Sequence, residues 1–127
     1  MSLRTELSLR LPNSPGALAG VCRALADERV NILAFGLEAG GQLRLVVDNH
    51  VRALAVLRER HHQVTERDVL VVDVPHSPGS LAAALAIAAG AGINVEFAYG
   101  GAAERSASAA VVLGVMDAMT AAAAAGI

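Results

Sequence analysis

Apolar and polar residues alternate over residues 6–11, with Leu7, Leu9 and Leu11 on one side, the period of a half-buried strand. The period then changes. Leu18, Val21, Cys22 and Leu25 recur at the i, i+3, i+4, i+7 spacing of one helix face, which predicts a helix from Pro15 to about Glu28. Ser14 is suited to cap that helix, and Pro15 to the first helical position, where no amide hydrogen is missed. Strands follow at residues 32–37 and 43–48, joined by a turn at Gly40 and Gly41. Asp48 or Asn49 caps a second helix that runs to about Arg60, and residues 63–67 make a short fourth strand. Only Asp68 separates this from the next strand, residues 69–74, so the two parts are expected to join without a linker.

The pattern then starts again. LPNSPGAL begins at Leu11 and VPHSPGSL at Val74, which puts Asn13 and His76 63 positions apart. Val30-Asn31-Ile32 and Ile93-Asn94-Val95 keep the same offset of 63. The helix face of Leu18, Val21, Cys22 and Leu25 corresponds to Leu81, Ala84, Leu85 and Ala88. The second copy is predicted to have a helix from Pro78, strands near residues 94–99 and 106–113, and a helix from Asp117. The sequence then closes at Gly126-Ile127, so the second copy is expected to lack a complete fourth strand. The expected domains are residues 1–67 and 68–127. The fold class is α+β: two tandem ferredoxin-like βαββαβ sandwiches, each an antiparallel sheet with its helices on one face. Leu18, Val21, Leu25 and Ile32 are expected in the first core. A 63-residue unit buries only about 60% of the surface of its unfolded chain, so pairing of the two is the natural remedy.

Composition narrows the function. The chain is 54% hydrophobic but 2% aromatic, so its core is built from Leu, Val, Ile and Ala. A net charge of −2, with only Phe35, Phe97 and Tyr99 to offer, argues against nucleic acid as a partner. The most apolar run, residues 81–93, is shorter than the roughly 18 residues of a membrane span, and no apolar leader opens the sequence. A single cysteine excludes an intrachain disulfide and a multi-thiolate metal site, and a cytoplasmic protein without a cofactor is expected. Cys22 itself is expected in the core. His61 and His62 are adjacent, do not share a helix face, and suggest no metal site. Ser77, His76 and Asp73 lie too close in sequence for a triad, and no carboxylate pair is spaced for acid–base work, so no catalytic residue is assigned. A ferredoxin-like phosphatase would need an arginine in its first loop, and neither copy has one.

The two loops are the chemical candidates. A helix start presents unpaired amide hydrogens and about half a positive charge. Gly16, Ala17 and Leu18, and likewise Gly79, Ser80 and Leu81, could offer such donors to a carboxylate. Asn13 and His76 stand just before each start, where their side chains can meet a ligand's polar groups. His76 itself is expected as a solvated loop residue.

NSPGAL followed by Val30-Asn31-Ile32, and HSPGSL followed by Ile93-Asn94-Val95, resemble the motif of the ACT domain family over nearly the whole chain. His76 departs from the Asp or Asn usual at that position. The resemblance implies domains that pair side by side, bind a free amino acid at the interface between them, and regulate an enzyme or another partner. Its ligand-binding residues would be Asn13, Ser14, Pro15, Gly16, Ala17 and Leu18 in the first loop and His76, Gly79, Ser80 and Leu81 in the second. Asn31, Ile93 and Asn94 would lend contacts to the ligand of a neighbouring domain. The expected function is therefore a regulatory amino-acid sensor, not an enzyme, acting on a partner enzyme of amino-acid metabolism. The alternative is an ACT pair that binds no ligand and docks on an enzyme or regulator. Residues 81–91 carry no charge, whereas Arg23, Asp27 and Glu28 mark the outer face of the first helix, so a homodimer with the second copy at its contact is expected.

Overall fold

The computed structural model describes residues 1–124, so the expected close of the second copy at Gly126-Ile127 lies outside the described residues. The elements are β1 (Ser2–Arg10), α1 (Ala17–Asp27), β2 (Ile32–Leu37), β3 (Gln42–Val47), α2 (His50–Glu59), β4 (Thr65–Pro75), α3 (Ser80–Gly90), β5 (Val95–Gly101), β6 (Ser108–Val115) and α4 (Ala118–Ala124). They fall into two compact units: Thr5–Arg67, and Met1–Arg4 together with the chain from Asp68 on.

In the first unit β3 lies between β2 and β1, antiparallel to both. Leu7 stands opposite Leu45 and Leu9 opposite Leu43. These four leucines pack with Val21, Ala24 and Leu25 of α1 and Ala53, Val56 and Leu57 of α2, so both helices cover the same sheet face. Each fully buried leucine contributes about 1.5–3 kcal/mol. Leu18 and Ile32 are only half-buried, at the margin of this core rather than inside it. Cys22 is also half-buried: the buried stripe of α1 runs through Val21, Ala24 and Leu25, and position 22 is turned about 100° away from position 21.

Three boundaries differ from the sequence reading. The helix was expected from Pro15 with Ser14 as its cap; it starts at Ala17, behind a Gly16 with φ of +84°. A left-handed residue cannot lie inside a right-handed helix, so Ser14 and Pro15 belong to the preceding turn. Gly79, with φ of +86°, delays the start of α3 to Ser80 in the same way. The strands expected on either side of Asp68 are one continuous strand, β4. An aspartate flanked by extended residues supplies neither the glycine nor the proline that would break the run.

In the second unit β6 lies between β4 and β5, again antiparallel to both. Leu70 stands opposite Leu113, as Leu7 does opposite Leu45. Leu70 follows Leu7 by 63 positions, but Leu113 follows Leu45 by 68. The connection between β5 and β6 has therefore gained five residues, which moves β6 beyond the expected 106–113. The core consists of Leu70, Val72, Val74, Leu113 and Val115 under Ala118, Ala121 and Ala122 of α4, with Met1 packed against it. Helix α3 buries only Ala88, while Leu81, Leu85 and Ile87 are 45%, 36% and 59% exposed. A helix apolar all round carries no stripe to mark which side faces inward, and here the expected pair Leu81 and Leu85 faces outward.

Candidate functional site

The loop that ends β1 is held by its own backbone. The Leu11 amide donates to Gly41 O at 2.8 Å, the Ser14 amide to Pro12 O at 2.9 Å and the Ala17 amide to Ser14 O at 3.3 Å. The first helical bond runs from the Gly20 amide to Gly16 O at 2.8 Å. Ala17 is therefore not the donor that the sequence suggested. The first-turn amides without a helical carbonyl behind them are those of Leu18 and Ala19. A Cβ at Gly16 would touch nothing, so glycine is required there for its left-handed backbone and not for space.

This loop and the β2–β3 hairpin enclose a cavity of about 710 Å³. Asn13, Ser14, Gly16, Ala17 and Leu18 line it, joined by Ala19 and Cys22 from α1 and by Leu37, Glu38, Ala39 and Gly41 across from them. Pro15 opens instead onto an adjoining groove of about 420 Å³ that it shares with Arg60 and His62. Gly41, with φ of +89°, keeps the hairpin against β1, because a Cβ there would collide with Leu11 O. Glu38 is the lining residue with a charge, and the sequence reading missed it. Arg44 donates from Nε to Glu38 Oε1 at 3.3 Å and from Nη1 to Glu6 Oε1 at 3.1 Å. Glu6 is fully buried and the Arg44 side chain is 19% exposed, so one guanidinium serves a buried carboxylate and a carboxylate at the cavity. The hint in the sequence was an acid at the lip of a hairpin two residues before its glycines.

The second unit has a cavity in the corresponding place, about 380 Å³, lined by His76, Ser77 and Leu81 on one side and residues 98–102 on the other. Gly79 and Ser80 form its helix start without lining it, and the hydroxyls of Ser77 and Ser80 are 2.7 Å apart. Ile93 and Asn94 line a separate cavity of about 320 Å³ with Asp117 and Thr120. The Thr120 amide and hydroxyl hydrogen-bond to Asp117 at 3.0 and 2.7 Å and lower its carboxyl pKa. Asn31 is not brought to Asn13 within the first unit: α1 lies between them, roughly 16 Å long at 1.5 Å per residue. The Asn31 amide donates to Asp48 Oδ1 and its carbonyl accepts from the Asp48 amide, both at 3.0 Å, which closes the end of the β2–β3 pair. Among the described residues no cluster of three His, Cys, Asp or Glu side chains is placed to hold a metal, and no helix is long and apolar enough to cross a membrane.

No protein-family model matches the sequence, and no curated protein matches it significantly. Solved structures do. Protein BT0572 from Bacteroides thetaiotaomicron is similar over 96% of this chain and 85% of its own, with 28% identity and a TM-score of 0.85. The ligand-free regulatory subunit of aspartate kinase from Thermus thermophilus is similar over 98% of this chain and 92% of its own, with 20% identity and a TM-score of 0.68. Its counterpart from Thermus flavus is similar over 98% and 90%, also at 20% identity and a TM-score of 0.68. The fold is thus ACT-like, of the kind found in regulatory rather than catalytic parts of aspartate kinase.

Proposed function

We propose that this chain is a regulatory small-molecule sensor made of two tandem ACT-type domains, and that it binds a free amino acid in the cavity of the first unit. The observation that carries the reading is the meeting of Asn13, the start of α1 and Glu38 around one space. A zwitterion needs donors for its carboxylate and acceptors for its ammonium group. The amides of Leu18 and Ala19, at the positive end of the α1 dipole, suit the carboxylate. Glu38 and the Asn13 side-chain oxygen suit the ammonium. Leu18, Cys22 and Leu37 give the ligand's side chain an apolar wall. Charged hydrogen bonds contribute about 1.5–3 kcal/mol each, so a few of them give roughly micromolar to millimolar affinity after association costs. Regulatory subunits with this fold support a role in controlling a partner enzyme of amino-acid metabolism, with no catalysis by the chain itself.

Calorimetry against the twenty amino acids, on the wild type and Glu38→Gln, tests this reading. The expected result is binding of at least one amino acid, weakened about tenfold or more by the substitution, the scale of a single charged hydrogen bond. If no amino acid binds at millimolar concentration the sensor reading fails. The exposed Leu81, Leu85 and Ile87 of α3 then favour a module that docks on its partner without a ligand.

A further inference from the structure

The two corresponding cavities differ in one consistent direction. At an offset of 63, Asn13 gives way to His76, Gly36 to Tyr99 and Glu38 to Gly101. The first cavity carries a carboxylate; the second has none among its lining residues and gains an imidazole and a phenol. Space does not account for the lost acid. A Cβ at Gly101 would meet nothing, whereas at neighbouring Gly100, with φ of +151°, it would run into Ala110 O. The Tyr99 ring is set in place by stacking on Phe97, with centroids 6.4 Å apart and planes within 5°.

We propose, resting on the amino-acid reading of the first cavity, that the second cavity binds a carboxylic acid without an ammonium group, of the 2-oxo acid class. The chain would then distinguish an amino acid from its deaminated counterpart. An ammonium group in the second cavity would find no carboxylate and would be left under-bonded next to Val74, Leu81 and Val111. A 2-oxo acid presents only acceptors: two carboxylate oxygens and a carbonyl. They match an imidazole N–H of His76 and the first-turn amide of Leu81.

Methyl-resolved NMR titration of the whole chain tests the proposal. The ligands are leucine, phenylalanine and aspartate and the three 2-oxo acids that correspond to them. At least one 2-oxo acid is expected to shift the Leu81 and Val111 methyls and leave those of Leu18 and Leu37 in place. Gly101→Glu is expected to weaken that binding tenfold or more, while Gly101→Gln, which adds the same bulk without charge, binds within about threefold of wild type. If no 2-oxo acid shifts Leu81 and Val111, or if Gly101→Glu binds as well as Gly101→Gln, the proposal is overturned. Failure of the amino acids to shift Leu18 and Leu37 counts only against the reading of the first cavity, because different residues report on it.

Discussion

Arg44 faces two acids of unequal standing. Glu6 has no exposed surface, while Glu38 stands at a cavity. Charged hydrogen bonds contribute about 1.5–3 kcal/mol each, and the bond to buried Glu6 is better shielded than the bond to Glu38. Arg44→Met is therefore expected to lower unfolding stability by about that amount in urea titration. Gly16 acts at the same scale through its backbone: Gly16→Ala should cost roughly 1–2 kcal/mol by the left-handed penalty alone, since its methyl group meets nothing. The loop residues Asn13, Ser14 and Gly16 were legible because the turn and the helix start lie in one short stretch of sequence. Glu38 was not, because its place depends on a pairing that sets Leu37 against Leu43 and closes the hairpin over α1. Nor was the meeting of Glu6 and Arg44, 38 residues apart, since alternation tells which side a residue takes but not who stands opposite.

Helix ends show how local chemistry sets the elements. The Asn49 side chain accepts the Arg52 amide at 3.1 Å, and Asn49→Ala should cost about 0.5–2 kcal/mol, read from the shift of the thermal transition. Asp117 caps α4 in the same manner, 68 positions later. Its folded-state pKa lies below its usual 3.8, so the stability it adds is present above that value and is lost as pH falls through the lowered one. The stability gap between wild type and Asp117→Asn should thus be widest near neutral pH and close in acid below about pH 3.8, as followed by urea titrations across the range. The elements around α1 and α2 were readable because charged residues mark their outer faces. Those around α3 were not: eight of its eleven residues are small or lack branching to tell one side from another, SLAAALAIAAG, and only Ala88 is buried.

For the whole molecule the exposed leucines of α3 bear on association. Three large apolar side chains without charge between them are rarely left to solvent, so a homodimer at micromolar concentration is expected by sedimentation. Ile87→Glu should shift it toward monomer while circular dichroism stays unchanged, since Ile87 is more than half exposed and contributes little to its own unit's core. A monomeric wild type would exclude α3 as the contact. The strand pattern of both units was legible in the alternation of their leucines and valines. The membership of Met1–Arg4 was not, because a four-residue run is too short to show a period.

That membership has a consequence for how the protein is made. Met1 packs against the core that Ala118, Ala121 and Ala122 complete. During translation at about 5–20 residues per second, residues 1–4 leave the ribosome roughly 6–24 s before their core is available. The first unit has all of its own residues by Arg67 and can close early, while its upstream neighbours in the chain wait. An affinity tag fused ahead of Met1 therefore presses on the later-made of the two units. It should perturb the amide signals of Leu70 and Val115 and leave those of Leu25 and Leu57, nearer in sequence to the tag, where they were.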